Sequence, residues 1–220
     1  MTLARVRYQT IEFKELDIHV RTLRNRQEYH DPLGSAEDLG ISSANWSLFG
    51  VVWASGELLA HLMSEYDING LRILEVGCGI ALASLVLNHR KADITATDYH
   101  PEAETFLAEN VKLNYGRCIP FIRADWSNKH DTLGKFDLII GSDILYESCQ
   151  TKILSEFINN HAKLHCKVII VDPGRRQYAN FSKKMVELGY SYKKTSSHFA
   201  EHLTQPLRNA VNFHILNFNR

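Results

Sequence analysis

The sequence has no apolar run approaching the roughly 20 residues that a membrane-spanning helix needs. Its first residues, Met1-Thr2-Leu3-Ala4-Arg5, lack the long apolar segment of a secretory signal. Neither sign of charge is in excess: 25 Lys and Arg balance 25 Asp and Glu. Without a basic surplus there is no overall field to draw the chain onto a nucleic-acid backbone. Cysteine is scarce, and Cys78, Cys118, Cys149 and Cys166 are far apart with no Cys-x-x-Cys pair. They read as buried free thiols in a reducing, cytoplasmic compartment rather than as a disulfide framework. Repeats, low-complexity tracts and linkers are missing too. The expectation is a protein that neither spans a membrane nor binds nucleic acid.

What remains is ordinary globular composition, 45% hydrophobic and 23% charged over 220 residues, enough for one domain with a full core. Two short strands are expected at Val6–Phe13 and Ile18–Leu23, joined through Lys14-Glu15-Leu16. A polar stretch from Arg24 to Asn45, with Pro32, Gly34 and Gly40, reads as a loop carrying a short helix near Ala36-Glu37-Asp38. Apolar spacing over Val51–Tyr66 predicts a helix. Strands then alternate with helices. Strands are expected at 72–76, 93–97, 119–124, 136–141 and 167–171, and helices at 81–90, 101–115, 150–165 and 177–188. Such alternation builds crossover units and a mainly parallel, doubly wound α/β sheet. Two further strands, 191–196 and 211–218, flank a polar loop containing Pro206 and suit an antiparallel hairpin. The whole is an α/β, seven-stranded sheet with an antiparallel C-terminal hairpin and an N-terminal β extension. Residues 1–48 form the extension and a lid-like loop, and residues 49–220 the main domain.

The most telling segment is Ile73-Leu74-Glu75-Val76-Gly77-Cys78-Gly79-Ile80-Ala81-Leu82. An apolar strand ends in an acidic residue, turns through glycines and enters an apolar helix. Open α/β sheets build nucleotide-sized pockets at such strand ends. Glu75 repels a pyrophosphate and attracts a sulfonium or an ammonium. A dinucleotide fingerprint needs its last small residue at position 82, where this chain has leucine. The small residue is Ala81, giving Gly77-x-Gly79-x-Ala81, which disfavours a nicotinamide-dependent dehydrogenase. Asp98 ends the next strand about 20 residues on, the spacing at which a carboxylate meets ribose hydroxyls. The competing role for Asp98 is a helix cap before Pro101. Asp125-Trp126 ends the third strand, where a carboxylate accepts from an adenine amino group and an indole covers a base, unless Trp126 is only a packed rim aromatic. Ser142 and Asp143 emerge at the end of the fourth strand, beside the glycine loop.

The glycine loop resembles motif I of the class I S-adenosylmethionine-dependent methyltransferases, with alanine at its third glycine. Asp143-Ile144-Leu145-Tyr146 resembles the Asp-x-x-Tyr motif of a group of seven-β-strand protein methyltransferases, many of which modify lysine. Val52-Trp53-Ala54-Ser55-Gly56 is similar to that group's Val-Trp-Pro-Ser-Gly element, with alanine in place of proline, and Asp125-Trp126 matches its third-strand motif. The resemblance runs from about Phe49 to Glu147 and more loosely to Gly189, nearest to bacterial members labelled predicted nicotinamide N-methylase. It implies S-adenosyl-L-methionine as cofactor. Glu75, Gly77 and Gly79 would then hold the methionyl part, Asp98 the ribose, and Asp125 and Trp126 the adenine. Trp53 and Ser142 would flank the cofactor, and Asp143 and Tyr146 would shape the acceptor site. A lysine acceptor must lose a proton, its unperturbed pKa being about 10.4. Asp143 is expected to bind the incoming ammonium and Tyr146 to narrow the site.

The implied partner is a protein substrate. A small-molecule N-methyltransferase is the alternative, since Trp46, Phe49 and the 24–45 loop suit a lid. A non-catalytic binder is disfavoured, because it needs no acceptor-site carboxylate. Arg175 and Arg176 after the fifth strand either meet an acidic or phosphate-bearing substrate or bond nearby carbonyls. His100 reads as a rim residue rather than a base. No metal site is expected: the pairs His161/His165 and His198/His202 have helical ligand spacing but lack Glu or Cys partners.

Overall fold

The computed structural model describes residues 5–27, 29–31, 33–128, 132–146, 150–197, 203 and 212–220. The strand expected at 211–218 therefore begins just outside the described residues, and His198, His202 and Cys149 lie outside them. Strands β1 (Val6–Phe13) and β2 (Leu16–Leu23) form an antiparallel hairpin with a two-residue turn at Lys14-Glu15. Then come α1 (Ala54–Glu65), β3 (Arg72–Val76), α2 (Leu82–His89), β4 (Asp93–Asp98), α3 (Ala103–Leu113), β5 (Phe121–Arg123) and β6 (Phe136–Ser142). The chain closes with α4 (Gln150–His161), β7 (Ala162–Asp172), α5 (Tyr178–Glu187), β8 (Ser191–Ser197) and β9 (Phe213–Asn219). No helix among the described residues is long and apolar enough to cross a membrane.

The main sheet has seven strands in the order β5-β4-β3-β6-β7-β9-β8. Pairings are parallel from β5 to β7 and antiparallel through β9 and β8. Strand order reverses between β3 and β6, which places a crevice at their C-terminal ends. Successive strand side chains point to opposite faces. Ile73, Leu138, Ile140, Ile169 and Val171 therefore join α1, α2 and α3 in one core, and Leu74, Val76, Ile139, Val168 and Ile170 join α4 and α5 in the other. Both faces of the sheet are covered, which is why its central strands are apolar throughout.

Three local expectations are corrected. The helix expected over 150–165 ends at His161, and β7 starts at once with Ala162 paired to Phe136. Apolar residues at 154, 157, 158 and 162 carry a helical period past the true boundary, and no glycine or proline marks it. His161 and His165 consequently fall on different elements, and His161 Nδ1 lies 2.9 Å from the Gly134 carbonyl. Residues 36–38 form turns, not a helix, because Asp31 Oδ2 accepts from Ala36 N and Glu37 N at 2.7 and 2.9 Å. The third sheet strand covers only 121–123, since Pro120 has no N–H to contribute.

The N-terminal hairpin docks through two asparagines four residues apart, Asn110 on α3 and Asn114 at its C-cap. Asn110 accepts from Arg21 N at 2.7 Å and donates to Arg21 O at 3.3 Å. Asn114 does the same with His19, at 2.9 and 2.7 Å. Residues 19 and 21 are the alternate positions of β2 whose backbone faces away from β1. Two carboxamides thus stand in for a neighbouring strand and satisfy an edge that would otherwise cost free energy when buried. Asn110 is fully buried. Asn110→Ala leaves the Arg21 amide and carbonyl unpaired and is expected to lower unfolding free energy by about 1–3 kcal/mol. Urea denaturation measures it; a loss below about 0.5 kcal/mol would mean that the pairing is replaceable by water.

Candidate active site

A cavity of about 790 Å³ opens at the C-terminal ends of β3, β4, β5 and β6. All ten site residues expected from sequence line it: Trp53, Glu75, Gly77, Gly79, Asp98, Asp125, Trp126, Ser142, Asp143 and Tyr146. Its size falls in the range of small-molecule and cofactor pockets. Ile41, Ser42, Asn45, Leu48 and Phe49 form one wall, so part of the polar 24–45 loop faces the cavity, whereas Trp46 does not line it and donates to Ile41 O at 2.9 Å.

The floor is the glycine loop. Gly77, Gly79 and Ala81 all have positive φ, at 63°, 55° and 61°. A Cβ on Gly79 would lie 2.9 Å from the Phe49 carbonyl oxygen, and one on Gly77 would lie 2.6 Å from Ile144 Cγ2. The loop thus needs glycine both for conformation and for close approach. Ala81 keeps the left-handed conformation of the glycine it replaces, a strain of roughly 1–2 kcal/mol that the surrounding packing holds. Ala81 N closes the turn on Cys78 O at 2.7 Å, and Cys78 N ties it to Thr97 O at 2.9 Å.

Carboxylates dominate the charge. Glu75 is 3% exposed, and its Oε2 accepts from Ser84 N at 2.9 Å and from the Ser84 hydroxyl. Burial, reinforced by the nearby negative charge of Asp98, raises its pKa to about 7 against the opposing pull of Ser84. Asp98 accepts from Gly79 N through Oδ2 and from His100 N through Oδ1, both at 2.8 Å. It ties β4 to the glycine loop, and Glu102 rather than Asp98 precedes α3. Asp125 Oδ1 accepts from Ser127 N and Oγ at 2.8 and 2.7 Å. Trp126 comes within 3.7 Å of the Cβ position of Gly77 and packs against the second core.

Across the cavity, Asp143 has φ of 55°, a strained conformation for a non-glycine residue. Its Oδ1 accepts from Arg175 Nε at 2.8 Å and lies 2.6 Å from Nη2 in the same ion pair. Burial raises the Asp143 pKa, while Arg175 and, less strongly, Arg26 pull it back. Trp53 donates to Leu48 O at 2.8 Å and carries the Arg26 guanidinium 4.1 Å above its ring. Tyr146 is 42% exposed at the mouth. Gln150 also lines the cavity, and its buried Oε1 has no hydrogen-bond partner among the described residues. His100 is buried rather than at the rim. It stacks on Phe49 at 3.9 Å, and desolvation lowers its pKa to about 4, so it is a neutral wall residue.

Sequence reasoning missed Arg26 and Gln150, whereas Phe49, expected as part of a lid, lines one wall. Arg26 and Gln150 carry no local signal, and their place depends on how the hairpin and α4 dock. The sequence allows Arg175 two roles, and the structure pairs it with Asp143. Arg176 is exposed and is not among the cavity-lining residues.

A family model described as lysine methyltransferase matches residues 35–188. The chain belongs to the lysine methyltransferase family. It is 31% identical to protein N-lysine methyltransferase METTL21A of Danio rerio over 114 residues, 47% of this chain and 52% of that protein. It is 28% identical to the electron transfer flavoprotein beta subunit lysine methyltransferase of Mus musculus over 145 residues, 64% of this chain and 55% of that protein. The chain thus spans about half the length of these curated relatives. Among solved structures, magnesium protoporphyrin IX methyltransferase from Synechocystis PCC 6803 with bound SAM superposes with TM-score 0.57 at 19% identity, over 76% of this chain and 77% of that one. That likeness concerns the fold.

The raised pKa of Glu75 makes stability depend on pH. Between the unfolded carboxyl's 4.5 and about 7, the folded state of this family member binds a proton that the unfolded state has lost. The contribution is fully present below 4.5 and disappears as pH rises through about 7. Glu75→Gln keeps an acceptor for Ser84 and removes the titration. The variant is expected to gain on the parent by on the order of 2–3 kcal/mol between pH 5 and pH 8 in urea denaturation. Parallel pH profiles for the two proteins would show that Glu75 is ionised throughout.

Proposed function

We propose that this chain is an S-adenosylmethionine-dependent protein-lysine N-methyltransferase acting in the cytoplasm. The observation that carries the reading is the composition of the cavity: Glu75, Asp98, Asp125 and Asp143 line it, against Arg175 as the lining cation among the described residues. In a chain of zero net charge, that concentration of carboxylates suits a cationic cofactor meeting a cationic acceptor. Family membership supports the reading, as do the names of both relatives. Free thiols at Cys78, Cys118 and Cys166 support a reducing compartment.

When bound, the cofactor supplies a methyl group activated on positively charged sulfur. Glu75 and Asp98 line the cavity where they favour its positive charge and its hydroxyls, and backbone donors hold each in place: Ser84 N for Glu75, Gly79 N and His100 N for Asp98. Asp125 and Trp126 offer an acceptor and a ring face for a base. Asp143 receives the substrate ammonium. Both of its bonds to Arg175 fall on Oδ1, so Oδ2 is the oxygen Arg175 does not hold. A carboxylate whose pKa burial has raised is the better proton acceptor. It lets the amine shed a proton while held in line. Tyr146 and the wall at 41–49 narrow the entry and exclude water, so that most of the rate comes from alignment.

Methyl-labelled S-adenosylmethionine incubated with cell extract and the purified chain tests this. Label is expected on lysines of discrete proteins. Asp143→Asn is expected to lower transfer by about 10²–10⁴-fold while cofactor affinity stays within a few-fold. Label confined to small solutes would move the reading to metabolite N-methylation, and normal turnover by the variant would remove Asp143 from the chemistry.

A further inference from the structure

Arg175 is held from behind. Asp172 Oδ1 accepts from Gly174 N at 2.8 Å and Arg175 N at 2.7 Å, and Gly174 takes φ of 89°, so the turn after β7 presents the Arg175 side chain to the cavity. Asp172 is fully buried, which makes this turn a fixed platform. The Asp143 side chain is 11% exposed and that of Arg175 is 41% exposed, so the pair sits at the mouth with its carboxylate inward and its guanidinium outward. Arg26, stacked on Trp53, adds a second exposed guanidinium to the same region.

An ammonium arriving at Asp143 competes with Arg175 for a single carboxylate. If it brings nothing else, three charges share one pair, and a partly desolvated guanidinium is left with a weakened partner. Removing one member of such a pair is costly chiefly because the other remains unpaired. A substrate that offers a carboxylate beside its lysine avoids that cost: the lysine takes Asp143, and the acid takes the planar fork of Arg175, which fits a carboxylate bidentately. One ion pair becomes two of matched polarity.

We propose that Arg175, seconded by Arg26, is a specificity residue that selects lysines with an aspartate or glutamate beside them, in sequence or on the folded substrate surface. This rests on the lysine methyltransferase reading above and names its substrate class.

The test begins with lysines labelled by the wild-type protein in cell extract, mapped by mass spectrometry. They are expected to have an acidic neighbour. The purified substrate is then compared with its Glu→Gln or Asp→Asn form at that neighbour. Wild type is expected to prefer the acidic form about five- to tenfold in kcat/KM, mostly through KM. Arg175→Gln is expected to bring that ratio close to one, whereas Arg175→Lys keeps part of it. A ratio within one variant cancels any general loss of activity or folding. Labelled lysines without acidic neighbours, or an unchanged ratio in Arg175→Gln, would overturn this inference while leaving lysine methylation in place. Label on no protein lysine at all would overturn both.

Discussion

The site is organised around a carboxylate, Glu75, that is buried at the end of the central strand with neutral donors rather than a cation against it. Burying such a group is unfavourable unless hydrogen bonds or a ligand offset the desolvation. The chain meets the first condition with Ser84, which forces α2 to begin over the strand end and so sets the curvature of the glycine loop. Asp98 repeats the device one strand along, with Gly79 N and His100 N as its donors. The loop between β3 and α2 is therefore clamped from two carboxylates at once. Its positive-φ residues are the geometric consequence. A cation entering the cavity relieves a field that backbone donors only partly neutralise.

The opposite wall depends on a different constraint. β2 has an edge that faces the domain, and Asn110 and Asn114 are what allow it to be buried there. This anchors the chain just before Arg24-Asn25-Arg26, and Arg26 then lies on Trp53. The following loop is tied to the sheet by the Tyr99 hydroxyl, which donates to Leu39 O at 2.8 Å, and by Phe49 stacked on His100. Hairpin, loop and cavity are thus mechanically continuous. A change at α3 that loosens the hairpin would bear on Arg26 and Trp53 and, through Phe49, which packs on Phe106 and whose carbonyl oxygen lies against Gly79, on the glycine loop as well.

The central architecture was legible because it rests on short-range signals: apolar strands, each ending in an acidic or small polar residue, with glycine turns between them. The residues at the strand ends converge because parallel strands put all their C-terminal ends on one edge, so placing Glu75, Asp98, Asp125 and Asp143 on strand ends already places them together. What was not legible depends on long-range partners. The pairing of Asn110 with Arg21 spans 89 residues, and helical periodicity cannot distinguish such an asparagine from a solvated one. The end of α4 was misplaced because Ala162 continues an amphipathic pattern whose outcome is decided by β6, not locally. Ala81 stands at the third glycine of the motif it resembles, and its φ of 61° shows that the backbone there takes a left-handed conformation with a methyl side chain in place.

The strain at Asp143 and its pairing with Arg175 belong together. A left-handed aspartate at a strand end is unfavourable by itself, and it persists because its N–H is fixed on Val171 O at 2.9 Å while its carboxylate is drawn toward the turn after β7. Burial raises the Asp143 pKa and the Arg175 guanidinium draws it back, so desolvation and pairing act in opposite directions on one carboxylate. Without Arg175, a largely buried carboxylate would lose the cation that offsets its desolvation, and its pKa would rise further. Under the proposed reading, the arginine that pairs with Asp143 is also the group that an acidic neighbour of the substrate lysine would meet, so one contact would carry both the charge balance of the site and its selectivity.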